Sequence, residues 1–240
     1  MFEIKRFAEV TSTNDIIKAM AKDGAPEWTV AVADRQTAGR GRMGRSFMSP
    51  SGTGIYMSVL LRPTLCADLS LLITTAAATA VAKAVEKHTG KAAKIKWVND
   101  IFLDGKKVCG ILTEGQITQS TALDYAVLGI GVNLEPPKGG FGELENIAGA
   151  LFNGGGYDRD RIIFDILENF AEYYKNLADR PHLKDYVSRD MLSGKTVKVI
   201  RAGEVLCEAK VCGIDENFAL VIERDGKKEH LATGEVSVKI

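Results

Sequence analysis

The 240 residues carry 31 Lys+Arg against 31 Asp+Glu, with 45% hydrophobic and 26% charged residues. This balance fits a soluble globular chain able to bury a core without staples. It excludes bulk attraction to nucleic acid or membrane, so no DNA and no membrane partner is expected and any anion site must be local. The opening MFEIKRFAEV lacks an apolar h-region, which predicts no signal peptide and a cytoplasmic location. The longest apolar run, 69–84, is interrupted by Ser70, Thr74, Thr75, Thr79 and Lys83 and is too short to span a bilayer. Cys66, Cys109, Cys207 and Cys212 form no CxxC, which predicts reduced, inert thiols, and the histidines show no HxxxH spacing for zinc.

In chain order, TSTNDIIKAMAKDG opens with N-cap residues and spaces Ile16, Ile17 and Met20 for a short helix ending at Gly24. WTVAVAD reads as a strand leading into a glycine-rich segment, and IYMSVLLRP as a strand stopped by Pro63. An Ala- and Leu-rich stretch with a polar stripe predicts a helix over 68–89. KIKWVNDIFLDGKKVCGILTE reads as strands around an Asp104-Gly105 turn, and ALDYAVLGIGVNL as a buried strand. PPKGGFGELENIAGALFNGGG reads as irregular. Helices are expected over 160–178 and in HLKDYVSRDM. Beyond Leu192 the chain turns to short strands, KTVKVI, VLCEAKVCGI, FALVIER and EVSVKI, with polar turns between them, which suggests a small barrel. A boundary is placed near 188–193, giving units 1–189 and 190–240.

The segment QTAGRGRMGRSFMSPSGTGIY concentrates Arg40, Arg42 and Arg45 among glycines, and no Asp or Glu occurs from Arg35 to Ala67. Gly39-x-Gly41-x-x-Gly44 matches a dinucleotide fingerprint literally. However, Pro50, Gly52 and Gly54 forbid the helix that must follow, and no acid occurs before Asp68. A Walker loop fails for want of Gly-Lys-Ser/Thr. An RNA-binding basic segment and a plain solvated loop are the rivals. The preferred reading is a loop that folds over a phosphate-bearing ligand, with glycine N–H groups and arginine forks as donors. Ordering ten residues costs on the order of 10–20 kcal/mol of backbone entropy, and each charged hydrogen bond returns about 1.5–3 kcal/mol. Such a loop closes only when several contacts form together.

Five groups of residues, in this order, resemble the biotin protein ligases. They are Ser12-Thr-Asn14, Gln36-Thr-Ala-Gly-Arg-Gly-Arg-Met-Gly-Arg45 with Ser49-Pro-x-Gly-x-Gly-x-Tyr56, Lys96-Trp-Val-Asn-Asp100, Lys107-Val-Cys-Gly-Ile-Leu-x-Glu114 and Gly129-Ile-Gly-Val-Asn133. The resemblance implies an α+β fold with a mixed, largely antiparallel central sheet and flanking helices, of the class II aminoacyl-tRNA synthetase and biotin protein ligase type. A small C-terminal SH3-like β-barrel would follow it. It implies a monofunctional ligase, since no winged helix-turn-helix precedes Ser12. Two positions depart from the family pattern: Val98 stands where proline is usual, and Phe47 where tryptophan is usual.

The implied reaction joins biotin to ATP as biotinyl-5′-AMP and then to a lysine of a biotin carboxyl carrier protein, with Mg²⁺ accompanying ATP. Lys107, Arg40 and Arg42 are the implied catalytic cations. Ser12, Thr13, Asn14, Gln36, Arg40, Gly41, Arg42, Lys107 and Gly110 are the implied biotin-binding residues. Gly39, Arg40, Arg42, Phe47, Trp97, Asn99, Lys107 and Asn133 are implied on the ATP and adenylate side. Asp100 is left between a Mg²⁺ ligand and a partner of the incoming lysine, and the oligomeric state is left open with a homodimer among the options. A lipoate ligase or acyltransferase of related fold and an RNA-binding module are the alternative functions.

Overall fold

The computed structural model describes residues 2–63, 69–117, 123–201, 203–232 and 236–239. Its first sheet contains β1 (Glu3–Val10), β2 (Thr29–Gln36), β3 (Gly54–Leu61), β4 (Lys94–Lys96), β5 (Asp100–Leu103), β6 (Lys106–Ile117) and β7 (Leu123–Asn133). The strand order is β1-β2-β3-β7-β6-β5-β4. β1 runs parallel to β2 and the other neighbours are antiparallel, so the sheet is mixed as the resemblance implied. The helices are α1 (Thr13–Lys22), α2 (Leu69–Thr89), α3 (Arg159–Tyr174) and α4 (Leu183–Ser188).

Strand alternation divides the two faces of this sheet. On β7, Ala126, Leu128, Ile130 and Val132 belong to the large apolar cluster formed with α2 and α3. Tyr125 and Val127 point the other way and pack with Ile17 and Ala21 of α1, Ala31 and Leu60. The next positions on that second face are Gly129 and Gly131, so the sheet is bare just beyond α1. A cleft forms there. On α2 the expected polar stripe is buried, because Thr75 and Thr79 donate to the carbonyls of Leu71 and Thr75 one turn back and need no water.

Asp104 and Gly105 both take positive φ (50° and 79°), the expected hairpin turn. One expectation is corrected, and two strands lie where the sequence carries no strand pattern. The helix expected to run to 178 stops at Tyr174, because Asn176 leaves helical geometry and residues 177–179 form a separate 3₁₀ turn. β1 carries no alternation visible in the sequence, since it is an edge strand with most side chains exposed. β11 (Lys227–Leu231), beyond the Asp225-Gly226 turn, is a charged strand with no apolar alternation to mark it in the sequence.

β11 joins β8 (Thr196–Arg201), β9 (Glu204–Ile214), β10 (Leu220–Arg224) and β12 (Val236–Lys239) in a five-stranded antiparallel sheet, ordered β11-β10-β9-β8-β12. Its inward residues Val197, Val199, Val211, Phe218 and Leu220 share one apolar cluster with the first sheet. The seam is also bonded: Trp97 Nε1 donates to Phe218 O (2.9 Å), and beside it Tyr186 Oη of α4 donates to Val98 O (3.0 Å). Ile95 N donates to Arg189 O (2.8 Å), and Ile95 O accepts from Met191 N (3.1 Å). Among the described residues no helix is long and apolar enough to cross a membrane. Cys109 is buried, which pushes its thiol pKa up, whereas Cys66 lies outside the described residues.

Candidate active site

One wall of the cleft is neutral and rigid. Ser12 caps α1 with an extended backbone, but its side chain makes no cap bond. Gln36 on β2 supplies one instead: its Oε1 accepts from Thr13 N (2.9 Å) and Thr13 Oγ1 (3.2 Å). Its amide Nε2 donates to Ser49 Oγ (2.9 Å), which donates to Phe47 O (3.1 Å). Ser58, from β3, donates to Asn14 Oδ1 (2.5 Å) and lies 2.7 Å from Thr13 Oγ1. Asn14 Nδ2 donates to Glu114 Oε2 at 2.6 Å. Ser12, Thr13, Asn14, Ser49 and Ser58 are buried, so the wall is fixed before any ligand arrives. It suits a ligand whose polar groups are neutral.

The opposite wall is the glycine–arginine segment, which folds as a small hairpin. Phe47 N donates to Gly39 O (2.9 Å) and Gly41 N to Arg45 O (2.7 Å), with positive φ at Met43 (56°) and Gly44 (72°) turning the chain. These bonds fix part of the backbone without phosphate. The missing carboxylates come from elsewhere in the fold. Arg40 Nη2 donates to Asp15 Oδ1 (2.6 Å) and Glu114 Oε2 (3.2 Å). Arg42 Nη1 donates to Asn99 Oδ1 (3.0 Å), and Asn99 Nδ2 to Ile111 O (2.8 Å). Burial lowers the pKa of Arg42, opposed by the nearby charge of Asp100. Arg45 is exposed.

The floor is a glycine pair. Gly110 on β6 faces Gly131 on β7 in register, and the Phe47 ring lies over both. A Cβ at Gly131 would come 2.5 Å from that ring, and one at Gly110 3.3 Å. A Cβ at Gly129 would overlap Asn14 Oδ1. Lys107 closes the far end, with Nζ 2.7 Å from Asp100 Oδ1. Its backbone is clamped by the 147–149 segment: Lys107 N donates to Ile147 O (2.7 Å) and Lys107 O accepts from Gly149 N (2.8 Å).

The cleft holds about 150 Å³, and of the residues singled out from the sequence all but Gly39 and Asn133 line it. Gly39 sits at the foot of the hairpin, where a Cβ would overlap Phe47 O. Asn133 Nδ2 donates to Gly149 O (2.9 Å) and so steadies the clamp on Lys107. Trp97 lines the cleft while its indole N–H is committed to the seam. The sequence reading singled out neither Ser58, Gly129 nor Gly131 as a site residue. Ser58 carries no motif, but two glycines at alternate positions of a buried strand signal a bare sheet face. Among the described residues no group of three or more His, Cys, Asp or Glu could hold a metal ion. Asp100 is held by Lys107, so the donor set does not fit a resident Mg²⁺.

A model of the biotin/lipoate A/B protein ligase family matches residues 6–133, and one of the biotin protein ligase C-terminal domain matches 192–239. The chain belongs to the biotin protein ligase family. It is 30% identical over 246 residues to the biotin–[acetyl-CoA-carboxylase] ligase of Mycobacterium tuberculosis, covering 95% of this chain and 86% of the relative. With the bifunctional ligase/repressor BirA of Bacillus spizizenii it shares 40% identity over 170 residues, 70% of this chain. The chain spans about half (52%) of that relative's length. A biotin protein ligase from Aquifex aeolicus in complex with biotin and ATP superposes with a TM-score of 0.86 at 28% identity, covering 100% of this chain and 99% of that one.

Proposed function

We propose that the protein uses ATP to join biotin to a lysine of a biotin carboxyl carrier domain through biotinyl-5′-AMP. The observation that carries this reading is one cleft with a buried neutral polar wall at one end and Arg42 and Lys107 at the other. The biotin and ATP bound to the Aquifex relative support it.

In the first step a biotin carboxylate oxygen attacks the α-phosphorus. A P–O bond forms, the bond to pyrophosphate breaks, and pyrophosphate leaves with the electron pair. Negative charge grows on the α-phosphoryl oxygens, and cations already in place stabilise that charge more than they stabilise the ground state. Lys107 and Arg42 fill this role, both held by bonds to the sheet. Asp100, paired to Lys107, keeps the ammonium aimed until the phosphate competes for it. Mg²⁺ enters as part of the MgATP substrate. In the second step the carrier lysine amine attacks the acyl carbon, AMP leaves with the bonding pair, and the amine loses its proton. The hairpin covers the mixed anhydride against water until the carrier arrives.

Within this reading, residues 1–189 form the catalytic unit and 190–240 an SH3-like cap, in a cytoplasmic enzyme. The test is ATP-dependent transfer of labelled biotin to a carrier domain, with thermal shifts by biotin and lipoate in parallel. Transfer with a biotin-selective shift is expected. A lipoate-selective shift, or salt-dependent RNA binding without ATP turnover, overturns the reading.

A further inference from the structure

Glu114 closes the Lys107–Glu114 motif, yet no step above uses it. It leaves β6 on the same face as Gly110, seven residues beyond Lys107, at the point where α1, the hairpin and the sheet meet. Oε2 accepts from Asn14 Nδ2 (2.6 Å) and from Arg40 Nη2 (3.2 Å), and Oε1 accepts from Lys18 Nζ (2.6 Å). One carboxylate oxygen therefore touches both walls. Its side chain is only 27% exposed, so these bonds act through little water. The bonds of Arg40 to Asp15 and to Glu114 both use Nη2. A guanidinium carries five N–H donors in a rigid fork, so anchoring one prong aims the rest.

The geometry assigns Glu114 as a positioning residue that couples the two ligand ends of the cleft, orienting Asn14 for the neutral ligand and Arg40 for phosphate with the same oxygen. The inference rests on the biotin and ATP reading above. Burial would raise the pKa of Glu114. The hydrogen bonds from Asn14 and Lys18, with the charges of Lys18 and Arg40, outweigh it and hold the carboxyl below its ordinary range. The anionic form that both partners need is therefore the resting form. When a ligand takes up hydrogen bonding at Asn14, the balance of bonds at the shared oxygen changes, and with it the hold on Arg40. Coupling between two sites of about 5–150-fold is the usual range for such a link. Asp15 holds the same Arg40 nitrogen, but no hydrogen bond or ion pair between it and Asn14 is seen among the described residues.

The test is calorimetric titration of a non-hydrolysable ATP analogue into the full chain with and without saturating biotin, for wild type, Glu114→Gln and Asp15→Asn, with folding checked by circular dichroism. In wild type, biotin should tighten the analogue by about fivefold or more. In Glu114→Gln the enhancement should fall below about twofold. Asp15→Asn should weaken the analogue but keep the wild-type enhancement, and Glu114→Asp should restore part of it. An equal loss of coupling in both neutral variants would mean that carboxylate charge alone acts, and overturns the assignment. So would unchanged coupling in Glu114→Gln, or no coupling in a wild type that binds both ligands. A wild type that binds neither biotin nor the analogue instead overturns the underlying function, which keeps the two failures distinct.

Discussion

The strip of chain from 95 to 100 borders two regions that are bonded in opposite ways. Toward the cleft, Arg42 leans on Asn99, Lys107 on Asp100, and Arg40 shares two carboxylates. These are bonds a ligand can take over, and Asp100 Oδ1 meets Lys107 as a charge without hydrogen-bond geometry. Toward the seam, Trp97 Nε1, Val98 O and Ile95 N and O are each committed to one partner, under the stacked rings of His182 and Phe218 (4.6 Å, 11°). Exchangeable bonding lets a site change partners during a reaction, and committed bonding keeps the wall behind it still. Catalysis needs both, a few ångströms apart.

Substitutions on the cleft side should change chemistry while the fold survives. Lys107→Ala is expected to have the largest effect, a loss of biotin-dependent pyrophosphate release on the order of 10²–10³-fold, the scale of a removed charge stabiliser. Asp100 Oδ1 is buried and loses its paired charge, so a modest fall in melting temperature should accompany the loss. Unchanged pyrophosphate release in the folded variant would remove Lys107 from the mechanism. Next is Gly129→Ala, whose methyl must displace Asn14 from its bonds to Ser58 and Glu114. Biotin should bind about tenfold more weakly, roughly one neutral hydrogen bond or 1.4 kcal/mol. Titration calorimetry giving wild-type affinity would place the neutral ligand elsewhere. Arg42→Gly should leave the fold intact and let the adenylate escape. Mass spectrometry should then find biotin on an unrelated lysine-rich protein added to the reaction, and labelling confined to the carrier would mean the hairpin is no lid.

The elements on the cleft side were legible in the sequence, and what was not has a physical reason. The elements that carry the motifs between Ser12 and Lys107 were legible because strands and turns are local events, as at Asp104-Gly105. The acid-free stretch was misleading, since Asp15 and Glu114 reach Arg40 from 25 and 74 residues away. A count along the chain sees an isolated positive loop, whereas the fold pairs Arg40 with two carboxylates. Gln36 looked like a ligand-binding amide, and its cap on α1 required knowing that β2 ends beside Thr13. The seam was the least legible part. A barrel-like run of short strands predicted a separate unit, but nothing in its pattern said that Phe218 would meet Trp97 and His182.

His182 is the exception on the committed side, and it gives the smallest effect. The ring is fully buried, with Nε2 2.9 Å from Thr75 Oγ1. The Thr75 hydroxyl donates to Leu71 O, so the ring proton is assigned to Nε2 and Nδ1 is the bare nitrogen. Nδ1 has no hydrogen-bond partner, so a second proton there would be buried with no acceptor. Burial accordingly lowers the pKa of His182 to about 4, with Asp185 pulling weakly the other way. The unfolded imidazole titrates near 6.5. Between those values the unfolded chain binds the proton that the folded chain refuses, so stability is complete above about pH 6.5 and falls as pH drops toward 4. At pH 5.5 the loss is about 1.4 kcal/mol, or about 3–6 °C in melting temperature for a chain of this size. In His182→Gln the side chain cannot gain a proton, so the variant should melt lower at pH 7.5 but lose less on going to pH 5.5. Scanning calorimetry of both proteins at the two pH values decides it: parallel losses would assign the acid sensitivity to groups outside the seam, and a flatter variant would place it at this one unfinished bond.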